Sequence, residues 1–374
     1  MTQQAYRINS RLATGDKEYL IQTVSDSHRN RILSSLFSDG ELLETFVEKI
    51  EKDLTREDLK RLINSAHEER RREMEQLVGL YQNSSDSSDP LDLDYLGQAL
   101  YYKKMYLESA KLFTHATRLD PDFHYAWKHL GRVYLRLNRF SDAVRSLKKA
   151  VEIKPHYADY RNILGEAYLA TDSCHKAIEE FDEALKINIY YGEAYLNQVL
   201  TYILNAIRHE DYSMFAKKDE MIETALNKVS VIMPDIVDND FHQAKAYLRE
   251  GDLEKAFASF LKIREKLASI KHSEASNFYL KFLLKADQLN EKIISKRIKY
   301  LQKAVSDNPD YADLHYELAV AYTMLSRFVH GKAIEEYKKA LLINPAYDKA
   351  DKNLKIAKNE IMGFDMVIKN VLKD

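Results

Sequence analysis

WKHLGRVYLRLNRFSDAVRSLKKAVEIKP, residues 127–155, contains a Leu130-Gly131 pair that recurs 34 residues to either side, as Leu96-Gly97 and Leu164-Gly165. Each glycine is followed 19 residues on by an alanine, Ala116, Ala150 or Ala184. A glycine inside a helix costs about 1 kcal/mol relative to alanine. Its return at one helical position implies that a second helix packs against the bare backbone there. The period dictates a stack of helical hairpins, whose units bury their apolar faces only against one another.

The rest of the pattern falls into place around the glycines. The second copy has Trp127, Leu130, Gly131, Tyr134, Ala143, Leu147, Ala150 and Pro155. The first has Leu93, Leu96, Gly97, Phe113, Ala116 and Pro121, with Leu100 for the tyrosine and Ser109 for the first alanine of helix B. The third keeps Leu164, Gly165, Tyr168, Ala177, Phe181 and Ala184, then has Ile189 where proline closes the others. Small residues let the two helices approach, aromatic and aliphatic residues fill the space between, and proline ends helix B. This pattern resembles the tetratricopeptide repeat (TPR) family, a 34-residue helix-turn-helix.

The resemblance implies a mainly α fold, a TPR helical-hairpin solenoid wound as a right-handed superhelix over residues 91–345. Seven helical pairs are expected, irregular after residue 191. A fourth opens with Tyr195 and Tyr202 and is interrupted by an insertion near 208–217, its second helix closing at Pro234. A fifth runs from about Val237 with Ala244, Tyr247, Gly251, Ala256 and Phe260. A degenerate sixth, Ser273 to Ser306, keeps Leu284, Ala304 and Pro309. The last has Leu318, Ala319, Tyr322, Ala333, Tyr337, Ala340 and Pro345, with two extra residues at Phe328 to Gly331. Residues 346–374 then read as a capping helix with Leu354, Ala357, Ile361, Phe364, Ile368 and Val371 on one face. Gly363 and the extra apolar residues Met362, Met366 and Val367 leave a second reading open, in which this end also docks a partner or, as a homo-oligomer formed through the ends, a second copy of the chain.

Residues 1–86 read as a small α+β module. Apolar runs at 18–24, 31–37 and 41–47, with Asp39-Gly40 between the last two, predict a three-stranded antiparallel meander. One long helix, about 56–82, covers it, opened by Thr55 with Asp58 three residues on. A linker at 87–90 follows. His67 and Glu73 lack the second histidine that a metal-ligand helix needs, and Arg70, Arg71 and Arg72 among four glutamates read as a solvated face, with contact to an acidic partner as the alternative.

The chain has 374 residues, 45% of them hydrophobic, and 56 basic residues nearly balance 58 acidic ones. No global field argues for nucleic acid, and no stretch approaches a membrane span. A single cysteine, Cys174, fits a reducing compartment, and a polar amino terminus fits a cytoplasmic protein. No glycine-rich phosphate loop, nucleophile elbow or paired metal ligands appear, so no cofactor, no metal and no catalysis are expected. The function class is a scaffold or adaptor that binds a partner protein or peptide, with a self-associating regulatory subunit as the alternative. An RNA-binding array would need a basic inner wall throughout, whereas basic residues concentrate in the second copy.

In TPR proteins helix A lines the inner wall that meets an extended peptide. In that register the wall presents Tyr95, Gln98, Tyr101 and Tyr102, then Tyr125, Lys128, His129, Arg132 and Arg136. Asp159, Asn162, Glu166, Glu193 and Asn197 follow. Lys128, Arg132 and Arg136 are four apart and form a basic ladder on one helix face, suited to an acidic partner. The alternative is that these charges solvate the groove or pair with Glu166. His129 and His242 share one position in the register. The chaperone-tail clamp of some TPR proteins is disfavoured: Lys128 fits it, but Arg132, Ile163, Glu193 and Asn197 do not. The asparagine ladder of glycosyltransferase-linked arrays is missing, with Asn197 alone in its place.

Overall fold

The computed structural model describes residues 6–14, 17–26, 29–50, 54–208, 216–284, 291–307, 312–345 and 347–371. It is mainly helical with one amino-terminal sheet, and it divides into two compact units, Met1–Lys154 and Pro155–Asp374.

The first unit opens with four antiparallel strands in sequence order: β1 (Arg7–Thr14), β2 (Lys17–Asp26), β3 (Arg31–Ser38) and β4 (Glu41–Lys49). The sequence predicts three. The extra strand, β1, pairs Ile8 with Thr23 and Leu12 with Tyr19. It escapes sequence reading because only Ile8 and Leu12 mark its inward face, while Ser10 between them is polar. Asp39 and Gly40 both take positive φ, 51° and 84°, which is the backbone of a two-residue hairpin turn.

Helix α1 (Arg56–Gln82) covers the sheet, its first turn capped by Thr55, whose hydroxyl accepts from the Asp58 amide at 3.1 Å. Ile63, Ala66, Met74, Leu77 and Val78 on α1 are buried, as are Tyr19, Ile21, Ile32 and Leu36 of the sheet. Between helix and sheet sits His67, hydrogen-bonded to Ser10 Oγ at 2.7 Å and Thr23 Oγ1 at 3.0 Å, with Ser34 Oγ 3.1 Å beyond Thr23. A 3₁₀ turn, Asn83–Asp86, precedes the expected linker at 87–90, in which the Asp89 side chain accepts from the Leu91 amide at the start of the next helix.

Two hairpins complete this unit: α2 (Pro90–Tyr102) with α3 (Tyr106–Leu119), and α4 (His124–Arg136) with α5 (Phe140–Ile153). The glycines behave as the period demands. A Cβ on Gly97 would meet Phe113 Cε1 at 2.6 Å, and one on Gly131 would meet Leu147 Cγ at 2.4 Å. Ser109, in the alanine position of the first copy, donates to the Gly97 carbonyl at 2.7 Å. It thereby keeps its buried hydroxyl satisfied.

The second unit begins with a third regular hairpin, α6 (Ala158–Ala170) and α7 (Cys174–Ile187), in which Gly165 meets Phe181 in the same way at 2.4 Å. Helix α8 (Gly192–Arg208) is buried along most of its length and packs on α9 (Lys218–Ile232). Most of the expected insertion, 209–215, lies outside the described residues. Helix α10 (Asn239–Glu250) ends on Gly251 at φ 78°, and α11 (Leu253–Leu284), α12 (Glu291–Asp307), α13 (Ala312–Ile343) and α14 (Asp348–Val371) follow.

Two of these helices depart from the sequence pattern. The fifth copy's helix B does not stop before Ser273 but runs on to Leu284. Pro309 of the sixth copy lies outside the described residues. In the last copy no turn forms at Phe328 to Gly331, and α13 is one 32-residue helix. The regular hairpins turn on Lys104, Asn138 and Asp172, themselves 34 apart, at φ 58°, 57° and 57°. Ser326 or Phe328 holds that place in the last copy; Asn138 and Asp172 are types that favour left-handed backbone, but Lys104 is not, so residue type alone does not set the turn.

Candidate functional site

The A helices α2 and α4 of the first unit bring most of the sequence-derived wall together. Asp94, on the inner side of α2, accepts from Gln98 Nε2 at 2.8 Å and from His129 Nδ1 at 2.8 Å. His129 lies beside Phe113, ring centroids 5.3 Å apart, and is buried. Burial pushes its imidazole below the ordinary histidine range; Asp94 opposes the shift, and Lys128 and Arg132 add to it. His129 thus donates to Asp94 and ties α4 to α2. His242, which shares its register position, is exposed on α10 and has no such pairing with a carboxylate among the hydrogen bonds of the described residues.

Two turns further along, Tyr101 takes the same role with the opposite polarity. The Arg132 guanidinium lies over its ring, 4.9 Å from the centroid, and Arg136 Nε donates to its hydroxyl at 3.3 Å. Burial disfavours the phenolate, yet the two guanidiniums outweigh it and hold the Tyr101 hydroxyl below the ordinary tyrosine value. Lys128 Nζ stands 5.4 Å from the Tyr125 ring centroid, and Tyr125 stacks at 6.5 Å on His129. Lys128 and Arg132 thus sit over tyrosine rings, and Arg136 meets the Tyr101 hydroxyl. Tyr95 is half-buried and Tyr102 buried on α2. Trp127, whose Nε1 donates to the Pro121 carbonyl at 2.9 Å, and Tyr134, under Arg139 at 4.5 Å, fasten turns instead.

The second unit gathers the other wall residues in a separate cluster. Asn162 Nδ2 donates to Glu166 Oε1 at 3.0 Å, and Asn197 Nδ2 donates to Asn162 Oδ1 at 3.0 Å and to Glu166 Oε1 at 3.2 Å. Arg264 of α11 closes the group with a 3.4 Å contact to Asn197 Oδ1. Both asparagines are buried. The spacing repeats: Asp94 to His129, Tyr101 to Arg136 and Asn162 to Asn197 are each 35 residues apart. Each pair joins one A helix to the next. Asp159 and Glu193 are half-buried on α6 and α8. Sequence reading missed Arg264, since nothing local in α11 marks it.

It also missed Lys103, which caps α2 and is only 2% exposed. Its ammonium contacts Glu44 Oε2 of β4 at 3.0 Å and Glu73 Oε1 of α1 at 2.5 Å, over the Phe46 ring at 4.6 Å. Arg70 lies on that ring too, at 3.8 Å, and pairs with Glu73 at 2.7 Å. The arginine run is therefore not simply a solvated face: Arg70 turns inward, Arg71 bridges Glu68 and Glu75, and Arg72 is exposed. His67 and Glu73 are both occupied by these networks. Among the described residues no three histidine, cysteine, aspartate or glutamate side chains are grouped to hold a metal, and no helix is long and apolar enough to cross a membrane.

Residues 96–158 and, overlapping them, 130–192 match the tetratricopeptide repeat family model. The peroxisomal targeting signal receptor of Candida glabrata is 23% identical over 151 residues, 40% of this chain and 25% of that protein. The STIP1 homolog of Dictyostelium discoideum is 30% identical over 90 residues, 24% of this chain and 15% of that one. The chain thus spans a quarter or less of these curated relatives. Among solved structures, MamA is 26% identical with a TM-score of 0.35, the match covering 46% of this chain and 96% of MamA.

Proposed function

We propose that this tetratricopeptide repeat protein is a non-catalytic scaffold or adaptor that holds an extended, acidic segment of a partner protein along α2 and α4. The observation that carries the reading is the Lys128, Arg132 and Arg136 ladder laid over Tyr101 and Tyr125. A guanidinium held over a ring loses less freedom when it meets a carboxylate, and arginine offers that carboxylate two parallel donors. The Asn162, Glu166 and Asn197 cluster of the second unit would be a separate contact point, and the amino-terminal sheet would be a second docking face. The proposed setting is the reducing cytoplasm, in keeping with the lone buried Cys174.

The test is fluorescence anisotropy with labelled, extended Asp/Glu-rich and Lys/Arg-rich peptides. Acidic peptides should bind, and a Lys128→Ala, Arg132→Ala, Arg136→Ala variant should lose at least tenfold in affinity. Equal binding of both peptide classes, or no change in the triple variant, removes the proposal. Retained RNA binding at physiological salt would point to the RNA reading instead.

A further inference from the structure

The last repeat has the residues of a closed hairpin and the backbone of an open one. In the third copy the signature positions Tyr168, Ala177, Phe181 and Ala184 are buried, and Phe181 fills the space over Gly165. Their counterparts in α13 are not. Ala319, in the glycine position, is exposed, Tyr322 is 43% exposed, and Ala333, Tyr337 and Ala340 are only half-buried. Tyr337 belongs over Ala319 in the closed pattern. In a continuous helix the 18 residues between them span about 27 Å.

Neighbouring helices do not make good this loss. Helix α12 packs on α13, where Ala321 and Met324 are buried, and α14 returns antiparallel along its second half, pairing Glu360 with His330 at 2.8 Å. Ala319 and Val329 stay exposed, and Leu342 and Ile343 reach 82% and 86% exposure.

We infer that α13 is an opened repeat and that its occupant is the α13 of a second copy, each supplying the helix B half that the other lacks. The argument is one of register. A two-fold axis at Phe328, midway between Ala319 and Tyr337, sets Ala319 against Tyr337 of the second copy and Tyr322 against its Ile334. This restores twice the packing that Gly131 and Leu147, or Gly165 and Phe181, make within one chain. Such an exchange of identical elements about a straightened hinge is an inexpensive route to a dimer. It is independent of the groove reading, which concerns α2 and α4.

Two measurements on the full chain test it. Light scattering should give twice the 43.6 kDa chain mass. Co-expressed Ala319→Cys and Tyr337→Cys chains should form a disulfide-linked dimer on oxidation, while wild type and either single variant alone should not. Installing a turn with Phe328→Asn and Val329→Gly should halve the mass without loss of helical circular dichroism. A single-chain mass for the wild type at tens of micromolar would assign the face to another partner and overturn the inference. So would a disulfide formed only within a doubly substituted chain, which reports a closed hairpin, or no disulfide at all.

Discussion

Replacing Gly131 by alanine tests the packing rule that organises the regular repeats. Alanine gains about 1 kcal/mol over glycine in a helix interior. Against that gain, the new Cβ would lie 2.4 Å from Leu147 Cγ and 2.7 Å from its Cδ2. The closer atom is the branch point of a fully buried leucine, so relief requires moving helix α5 or forcing Leu147 off its rotamer. Overpacking of this kind costs about 1–3 kcal/mol. At so short a separation the upper part of that range applies, for a net loss of about 1–2 kcal/mol. Gly79, inside α1 of the same unit, is the matched control: a Cβ there meets nothing within 4 Å, and Gly79→Ala should stabilise by about 0.5–1 kcal/mol. Urea unfolding followed by far-ultraviolet circular dichroism, with the sole tryptophan, Trp127, as a local reporter on α4, measures both. Adding Leu147→Ala to Gly131→Ala should recover at least about 1 kcal/mol relative to the sum of the single losses. If Gly131→Ala stabilises as Gly79→Ala does, the glycine is not there to admit Leu147 and the reasoning fails.

Lys103→Met leaves Glu44 and Glu73 without their shared buried ammonium, and breaking a buried pair costs about 3–5 kcal/mol; hydrogen exchange should show protection falling in both β4 and the first hairpin. His67 has a lowered pKa in the folded state through burial, with Glu68 opposing and Arg71 reinforcing. The unfolded chain therefore binds more protons below about pH 6.5, and the contribution of neutral His67 is complete above that pH and fades as pH falls. His67→Gln should flatten the acid limb of a stability profile. Tyr101 should ionise below the ordinary tyrosine range when followed at 295 nm, and Arg132→Ala with Arg136→Ala should move it upward. Asn197→Ala removes the donor shared by Asn162 and Glu166, with a loss of about 1–3 kcal/mol by thermal or urea unfolding.

The regular hairpins are legible in sequence because their constraint is pairwise at a fixed spacing: a missing Cβ at Gly97, Gly131 or Gly165 must match a bulky residue 16 positions on. Helix α1 and the Asp39-Gly40 hairpin are legible for the same local reason. Strand β1 is not, because its central inward residue, Ser10, is satisfied by His67, 57 residues away. Lys103 and Arg264 are equally silent, since their partners Glu44 and Asn197 lie 59 and 67 residues off. The straight α13 is hidden for a subtler reason. Its apolar pattern is that of a hairpin, and the residue at the turn position does not decide against one, since Lys104 turns at the same place in the first copy. At the candidate site the ladder residues are readable, but the use of His129 as an internal strut is visible only once Asp94 is beside it.

The Lys103 junction bears on how the first unit comes apart. Its ammonium is shared by β4 and α1 at the very point where α2 ends, and Lys17 reaches Glu108 of α3 at 3.5 Å. A protease that cut at the serine-rich segment 83–88 would therefore nick the chain without parting it, since the Lys103 junction is buried and only weakly screened by salt. The sheet thus works as a tethered plug: it denies the first hairpin a frayed edge, much as a bung keeps a barrel stave from springing.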